Sequence, residues 1–402
     1  MLKQVSRILT GILFVFSGFV KAVDPVGGTI KLKDYFDAFG IEFLTGIALP
    51  LAIALSTLEF ITGFHLLINV RVKLFSRVAF YMLAFFTVLT FFLAIFNPVT
   101  DCGCFGDAIK MTNWQTFYKN LITLPFSWIV FSKRSEFENS LSSLRVNLLT
   151  AVSLVFSVGI SVYSYCYLPV LDFRPFKTGT NIPEAMKIPE NAPQPEYKTT
   201  FILEKDGVRK EFDEHNYPYE DTTWLFIDSK SVLIKEGYQP PVKDFYLSNN
   251  EDENMTDVVL KSKKPVFLMT VPDVSELDKD DVAGMIELSN ICRKNSIHFY
   301  CVTSSLMKDI MKFEVKQKAM FNYLFADEVL IETINRGNPG LTVLKEGTIL
   351  AKYNHFDLPS KEIVKDPLSY TIKEKAKREH RMIVLISGLL LTLTVIILYK
   401  KQ

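Results

Sequence analysis

LFSRVAFYMLAFFTVLTFFLAIF, residues 74–96, is an apolar run broken by a single strong charge, Arg77. A helix of that length spans a hydrocarbon core of about 30 Å. Five more runs qualify: Ile8–Val23, Leu49–Val70, Trp114–Phe131, Val146–Leu168 and Met382–Tyr399. Trp114–Phe131 is the least apolar, with Lys119 and Asn120 in its first turns and Pro125 inside it. Lys3 and Arg7 ahead of the first run resemble a secretory leader. Lys21 and Asp24 follow it, however, where a cleavage site would need small residues, so it reads as a retained helix.

The rest of the composition agrees with a membrane protein. Of 402 residues, 49% are hydrophobic and 33 are Phe, and the net charge of +1 gives no reason to expect a nucleic-acid partner. Short loops set the expected orientation. Arg71, Lys73 and Arg77 flank one turn, Lys133, Arg134 and Arg145 another, and Lys3 and Arg7 begin the chain. A cytoplasmic N-terminus puts all three clusters inside, and Cys102 and the long segment 172–378 outside. Lys373, Lys375, Lys377, Arg378 and Arg381 oppose this arrangement, but long translocated domains override local charge. The expected location is a bacterial inner membrane, multi-pass, with the soluble domain in the periplasm.

After the fifth run, Pro175, Pro183, Pro189, Pro193 and Pro195 predict an extended linker. From Thr199 the period shortens. Thr200–Leu203 and Val208–Phe212 read as strands about the turn Lys205-Asp206-Gly207, and Trp224–Ile227 and Val232–Ile234 repeat the pattern about Asp228-Ser229-Lys230. Strands and helices then alternate: Pro265–Val271, Val282–Asn295, Ile297–Thr303, Met307–Val315 and Tyr323–Phe325. A hairpin about Lys345-Glu346-Gly347 closes a sheet covered by helices.

Asp101-Cys102-Gly103-Cys104-Phe105-Gly106 is the sharpest chemical signal. Two thiols separated by one Gly can close a small, readily exchanged disulfide ring, since Gly103 tolerates backbone angles that other residues resist. A structural disulfide, or two idle thiols in a loop, fits the same spacing. Asp101 is expected to raise the thiol pKa. Two Cys without a neighbouring His make half a zinc site, so no metal is expected. Cys166, at the end of the fifth run, lies at a similar depth and is a third redox candidate or a buried helix-end residue. Cys292 and Cys301 read as core. Glu59 lies within the second run, where an unpaired carboxylate costs at least ~2.5 kcal/mol. Lys21 is its nearest expected partner, in a functional or a purely structural ion pair.

Ser17-Gly18-Phe19-Val20-Lys21, with Glu59 and Gly63, resembles the DoxX-type membrane bundle. With Cys102-Gly103-Cys104-Phe105-Gly106 the first 130 or so residues are similar to its MauE (methylamine utilisation) branch. With Asn113-Trp114-Gln115-Thr116-Phe117-Tyr118 and the long soluble tail, the layout resembles the DoxX family proteins of Bacteroidetes. The resemblance implies thiol or disulfide chemistry outside the cytoplasm beside a thioredoxin-like partner, and does not imply that methylamine is handled. Asp244-Phe245-Tyr246-Leu247 and Asn338-Pro339-Gly340-Leu341 resemble the entry strand and the cis-proline segment of the thioredoxin superfamily. Where that family carries Cys-x-x-Cys this chain has Val271-Pro272-Asp273-Val274, so the soluble domain is expected to have lost its catalysis.

The expected architecture is an α-helical membrane bundle of four helices over 1–132, a fifth helix over 133–170, and a Pro-rich linker over 171–198. An α/β thioredoxin-like domain over 199–365 and a C-terminal transmembrane helix over 366–402 complete it. Cys102 and Cys104, with Cys166, would pass electrons between a membrane carrier, a quinone, and an extracytoplasmic thiol protein. No covalently bound cofactor is expected. The alternative is a non-enzymatic membrane scaffold or assembly factor that uses the degenerate domain as a binding module.

Overall fold

The computed structural model describes residues 1–380, apart from 100, 139, 140, 236 and 378, together with residue 387. The sixth expected span, Met382–Tyr399, lies outside the described residues. The chain divides into two compact units, Met1–Gly179 with Tyr246 onward, and Thr180–Phe245.

The first unit begins with α1 (Leu2–Val23), α2 (Pro25–Ala38), α3 (Ala48–Leu67), α4 (Val72–Phe96), α5 (Asn113–Ser132) and α6 (Ser143–Tyr167). Among the described residues, four helical segments are long and apolar enough to cross a membrane: α1, α3 with the turn before it (Glu42–Leu67), α4 and α6. α5 is not among them, yet it runs antiparallel to α4 over the same depth. Asn113 Nδ2 bonds Asn97 Oδ1 (3.0 Å) and Val99 O (2.8 Å) at one end, and Phe131 stacks on Phe80 (5.0 Å) toward the other. Its polar Asn120 is satisfied inside the bundle by Thr90 Oγ1 at 3.3 Å.

α1 and α3 form the tightest seam. A Cβ on Gly18 would stand 2.3 Å from Phe60 N, and one on Gly63 2.3 Å from Val15 N. Small residues let the two backbones touch, which is how apolar helices gain packing energy where lipid is as apolar as the partner.

The second unit interrupts the first in sequence. It holds α7 (Ile182–Met186), β1 (Glu196–Lys205), β2 (Val208–Asp213) and β3 (Leu225–Lys235). The expected linker therefore contains a short helix, capped by Asn181, whose side chain accepts from Glu184 N at 3.0 Å. β1 to β3 form an antiparallel sheet in the order β2-β1-β3. The hairpin at Asp206-Gly207 has positive φ at both residues, as its turn demands. The second expected hairpin is absent: Asp228-Ser229-Lys230 lies within the continuous strand β3. Three polar residues on an edge strand are solvated in place and need no turn.

The first unit resumes with α8 (Thr256–Leu260), β4 (Val266–Val271), α9 (Lys279–Lys294), β5 (His298–Thr303), α10 (Met307–Gln317), β6 (Asn322–Phe325), α11 (Glu328–Ile334), β7 (Gly340–Lys345) and β8 (Thr348–Asn354). Their sheet has the order β6-β5-β4-β7-β8, with β4, β5 and β6 parallel and β7 and β8 antiparallel. β4 is central and buried along its whole length, hence apolar on both faces. Phe267, Met269, Met285, Leu288, Phe313 and Val343 share its core with Cys292 and Cys301. Asn338–Pro339 is a cis peptide.

This α/β region is tied to one end of the helical bundle. Asn354 Nδ2 donates to Tyr165 O in the last turn of α6 (2.7 Å), and Asp172, just beyond α6, is bonded by both Arg174 (2.8 Å) and Lys352 of β8. That end is also the one carrying the Cys102 loop.

Candidate functional site

The site begins where α1 stops. The Asp24 carboxylate accepts from Gly27 N at 2.9 Å and Pro25 occupies the first turn, so a new helix starts at once. This helix, α2, is not among the elements expected from sequence, although Asp-Pro before a helical stretch is a start signal. It brings Lys31 and Tyr35, one turn apart, over the cysteine loop. Tyr35 Oη donates to Cys102 O (3.1 Å), and Lys31 Nζ lies 3.4 Å from Asp101. Gly103 has φ +67°, and a Cβ there would come within 2.7 Å of Lys31 Cγ. Backbone and neighbour both require Gly at that point. A bridge between Asp101 and Thr112 closes the loop, and Thr112 with Gln115 forms the capping box that opens α5.

Cys102 Sγ and Cys104 Sγ stand 3.0 Å apart; Cys102 is buried and Cys104 half-buried. Either thiol can donate to the other; the hydrogen bond with Cys102 lowers the Cys104 thiol below the ordinary value, burial opposes this, and Lys119 and Lys21 add to it. The same hydrogen bond, with burial, pushes Cys102 up. The two thiols titrate as a pair, with Cys104 the more acidic member. The expected effect of Asp101, a raised thiol pKa, is not the outcome at Cys104. Lys31 neutralises that carboxylate on one side, while Lys119 and Lys21 face Cys104 on the other.

Below the loop, Lys21 Nζ meets Glu59 Oε1 at 2.7 Å, with the Glu59 side chain 4% exposed. The Ser17 hydroxyl lies 2.8 Å from Glu59 Oε2 and 2.8 Å from the Cys104 carbonyl oxygen, so one polar chain links the ion pair to the loop. Lys119 Nζ sits 4.3 Å over the Phe105 ring. Behind Phe105 an apolar groove of about 410 Å³ runs between Leu9, Ile12, Phe16 and Phe126.

A cavity of about 370 Å³ opens beside these groups, walled by Lys21, Glu59, Tyr35, Cys102, Leu55 and Phe86. Its roof comes from the α/β region: Val329 and Glu332 of α11, and Arg336. The turn carrying Arg336 is fixed by Asn335, whose Nδ2 donates to Leu341 O (3.1 Å) and whose Oδ1 accepts from Gly337 N (2.9 Å). The Arg336 guanidinium reaches Asp107 Oδ2 (2.8 Å) and Asp24 Oδ2 (3.1 Å), and Nη1 bonds Glu332 O (3.1 Å). Burial pushes the Asp24 carboxyl up, but Arg336, with Arg174, outweighs it and holds it below the usual value. Burial pushes Glu332 up to about 7.

Of the residues singled out from sequence, the structure gathers Cys102, Cys104, Lys21 and Glu59. Cys166, near the end of α6, does not line this cavity or the apolar groove. Cys292 and Cys301 are core residues of the α/β region, and burial pushes Cys292 up to about 12. Asp24, Lys31, Tyr35, Asp107 and Arg336 join the site without any sequence signal that marks them as its members, and Ser17 joins it from the motif that ends at Lys21. Among the described residues no group of three or more His, Cys, Asp or Glu is placed to hold a metal ion.

The family described as methylamine utilisation protein MauE matches residues 1–132, that is, α1 to α5 with the cysteine loop. A family described as a domain of unknown function (DUF8463) matches residues 197–236, the three-stranded sheet. No curated protein matches the chain.

Proposed function

Because residues 1–132 form a MauE-type, DoxX-like membrane unit within a multi-pass membrane protein, we propose that the chain is a membrane component of extracytoplasmic thiol–disulfide redox. Cys102 and Cys104 are its exchanging pair. The observation that carries this is the close thiol pair, 3.0 Å apart, with two lysines facing Cys104.

Asymmetry assigns roles. With the pair oxidised, a partner thiolate attacks Cys102 Sγ and Cys104 leaves as the thiolate, because Lys119 and Lys21 face the departing sulfur and stabilise its charge. The second partner thiolate then attacks the partner's own sulfur and releases Cys102. The partner ends as a disulfide and the loop as a dithiol. Re-oxidation must remove two electrons and two protons. A membrane quinone would supply that acceptor, and the cavity suits a polar ring: Lys21 Nζ is a donor beside Leu55 and Phe86. Ser17, Glu59 and Lys21 form a route by which a proton can be held or moved next to the loop.

The α/β region fits a thioredoxin-like fold by strand order and direction. At the end of β4 stand Pro272 and Asp273, with the Asp273 carboxylate accepting from Ser275 N (2.8 Å), and no thiol. Its role in this reading is to cap the cysteine cavity through Arg336 and α11, on the periplasmic side of the inner membrane. Mass-shifting maleimide applied to membranes before and after mild reductant tests the proposal. Cys102→Ser and Cys104→Ser should each abolish the reducible species. Thiols that stay free in an oxidising envelope would leave the scaffold reading in its place.

A further inference from the structure

β3 is an edge strand, and all of its residues are exposed. It carries two apolar triplets, Leu225-Phe226-Ile227 and Val232-Leu233-Ile234, on either side of Asp228-Ser229-Lys230. Phe226 is 57% and Ile234 65% exposed. A long apolar edge with free backbone groups is a template for another strand, and proteins that avoid pairing usually shorten or charge such edges. Here, apart from Lys235 at the very end, the charges sit in the middle.

Their order decides what the edge fits. Two identical strands pairing antiparallel about a two-fold axis must place one residue opposite itself, because only residues of like parity share a face. With Asp228 or Lys230 on the axis, like charges meet, which is destabilising. With Ile227 or Ser231 there, a charge faces an apolar side chain. Only Ser229 on the axis sets Asp228 opposite Lys230 twice and lays each N-terminal triplet along the other copy's C-terminal triplet. The irregularity in the β1–β3 pairing between Phe226 and Asp228 shifts the outer partners by one place, setting Phe226 opposite Ser231 and Leu225 opposite Val232.

We propose that the β3 edge is a homodimerisation strand, pairing with β3 of a second copy about Ser229 to make a continuous six-stranded antiparallel sheet. Charge complementarity with itself, not exposure alone, selects the second copy over an unrelated strand. The proposal does not depend on the redox reading, since none of these residues belongs to the thiol site.

The register supplies its own test in the full-length chain in native membranes. Directly opposed residues have Cα atoms ~4.5–5.5 Å apart, within reach of a disulfide. Ser229→Cys should give a reductant-sensitive dimer under mild oxidation that the parent chain lacks. Ser231→Cys should not, because its copies lie about 13 Å apart at ~3.3 Å per residue. In the Ser229→Cys background, Asp228→Lys should lower the dimer at least several-fold, and adding Lys230→Asp should restore it. That restoration separates pairing from misfolding. A Ser229→Cys chain that stays monomeric, cross-links only to another protein, or cross-links no better than Ser231→Cys would overturn the proposal.

Discussion

Replacing Arg336 with Met removes the guanidinium that joins the α/β region to the bundle while keeping an apolar stem in the same space. Two half-buried carboxylates, Asp24 and Asp107, then lose their charged partner. Breaking a buried pair costs about 3–5 kcal/mol. The lower end applies, because Asp24 keeps the Gly27 N hydrogen bond and Asp107 keeps Lys110 at 3.5 Å. About 3 kcal/mol is roughly two decades in the equilibrium for lifting the cap, at ~1.4 kcal/mol per decade. The rate at which a membrane-impermeant maleimide labels reduced Cys102 should therefore rise by about 100-fold. Labelling of Cys292 reports whether the α/β core survives and should stay unchanged. Arg336→Lys, which keeps charge but cannot fork between two carboxylates, should fall between. A Cys102 rate within twofold of the parent chain would refute the idea that Arg336 closes this site.

Two other outcomes follow from the same geometry. Gly63→Ala sets a methyl 2.3 Å from Val15 N and 2.6 Å from Gly11 O, so the seam must part, at a cost of about 1–3 kcal/mol; Gly159→Ala, with nothing within 4 Å, should be neutral or slightly stabilising. Equal melting temperatures for the two variants in detergent would contradict the close α1–α3 crossing. For the thiols, a lowered pKa means the thiolate persists as pH falls until the folded value is passed. Cys104 in Cys102-containing chains should keep a substantial alkylation rate at pH 7, where an ordinary thiol of pKa ~8.5 is only a few per cent ionised. Cys102→Ala removes the principal hydrogen bond and should move the profile upward, and an unmoved profile would count against that hydrogen bond as the cause.

The long apolar helices α1, α3, α4 and α6 are legible in the sequence because a membrane span needs nothing but a long apolar run, and the cysteine loop because two thiols about a glycine form a local signal. The Lys21–Glu59 pair follows from the cost of an intramembrane carboxylate. Both true hairpins are also local, since Asp206-Gly207 and Glu346-Gly347 supply the positive φ their turns need. What escapes is non-local. Arg336 meets Asp24 across 312 positions of sequence, and no pattern near either residue announces the other. Lys119 looks like a blemish in an apolar run, whereas its ammonium faces Phe105 and the Cys104 thiol. The Asp228-Ser229-Lys230 segment mimics a turn because polar residues interrupt an apolar pattern equally at a turn and along a solvated edge.

The glycine seam between α1 and α3 bears on how the protein responds to bilayer thickness. Gly18 lies one turn from Lys21 and Gly63 one turn from Glu59, so the contact that locks the two backbones also sets where the ion pair meets. Sliding one helix past the other by a single residue would displace Lys21 by about 1.5 Å along the axis and about 100° around it. A thicker or thinner membrane is usually met by tilting a helix. With backbone against backbone at both glycines, α1 and α3 must tilt together as one rod, and the separation of Lys21 from Glu59 is carried unchanged from one lipid composition to another.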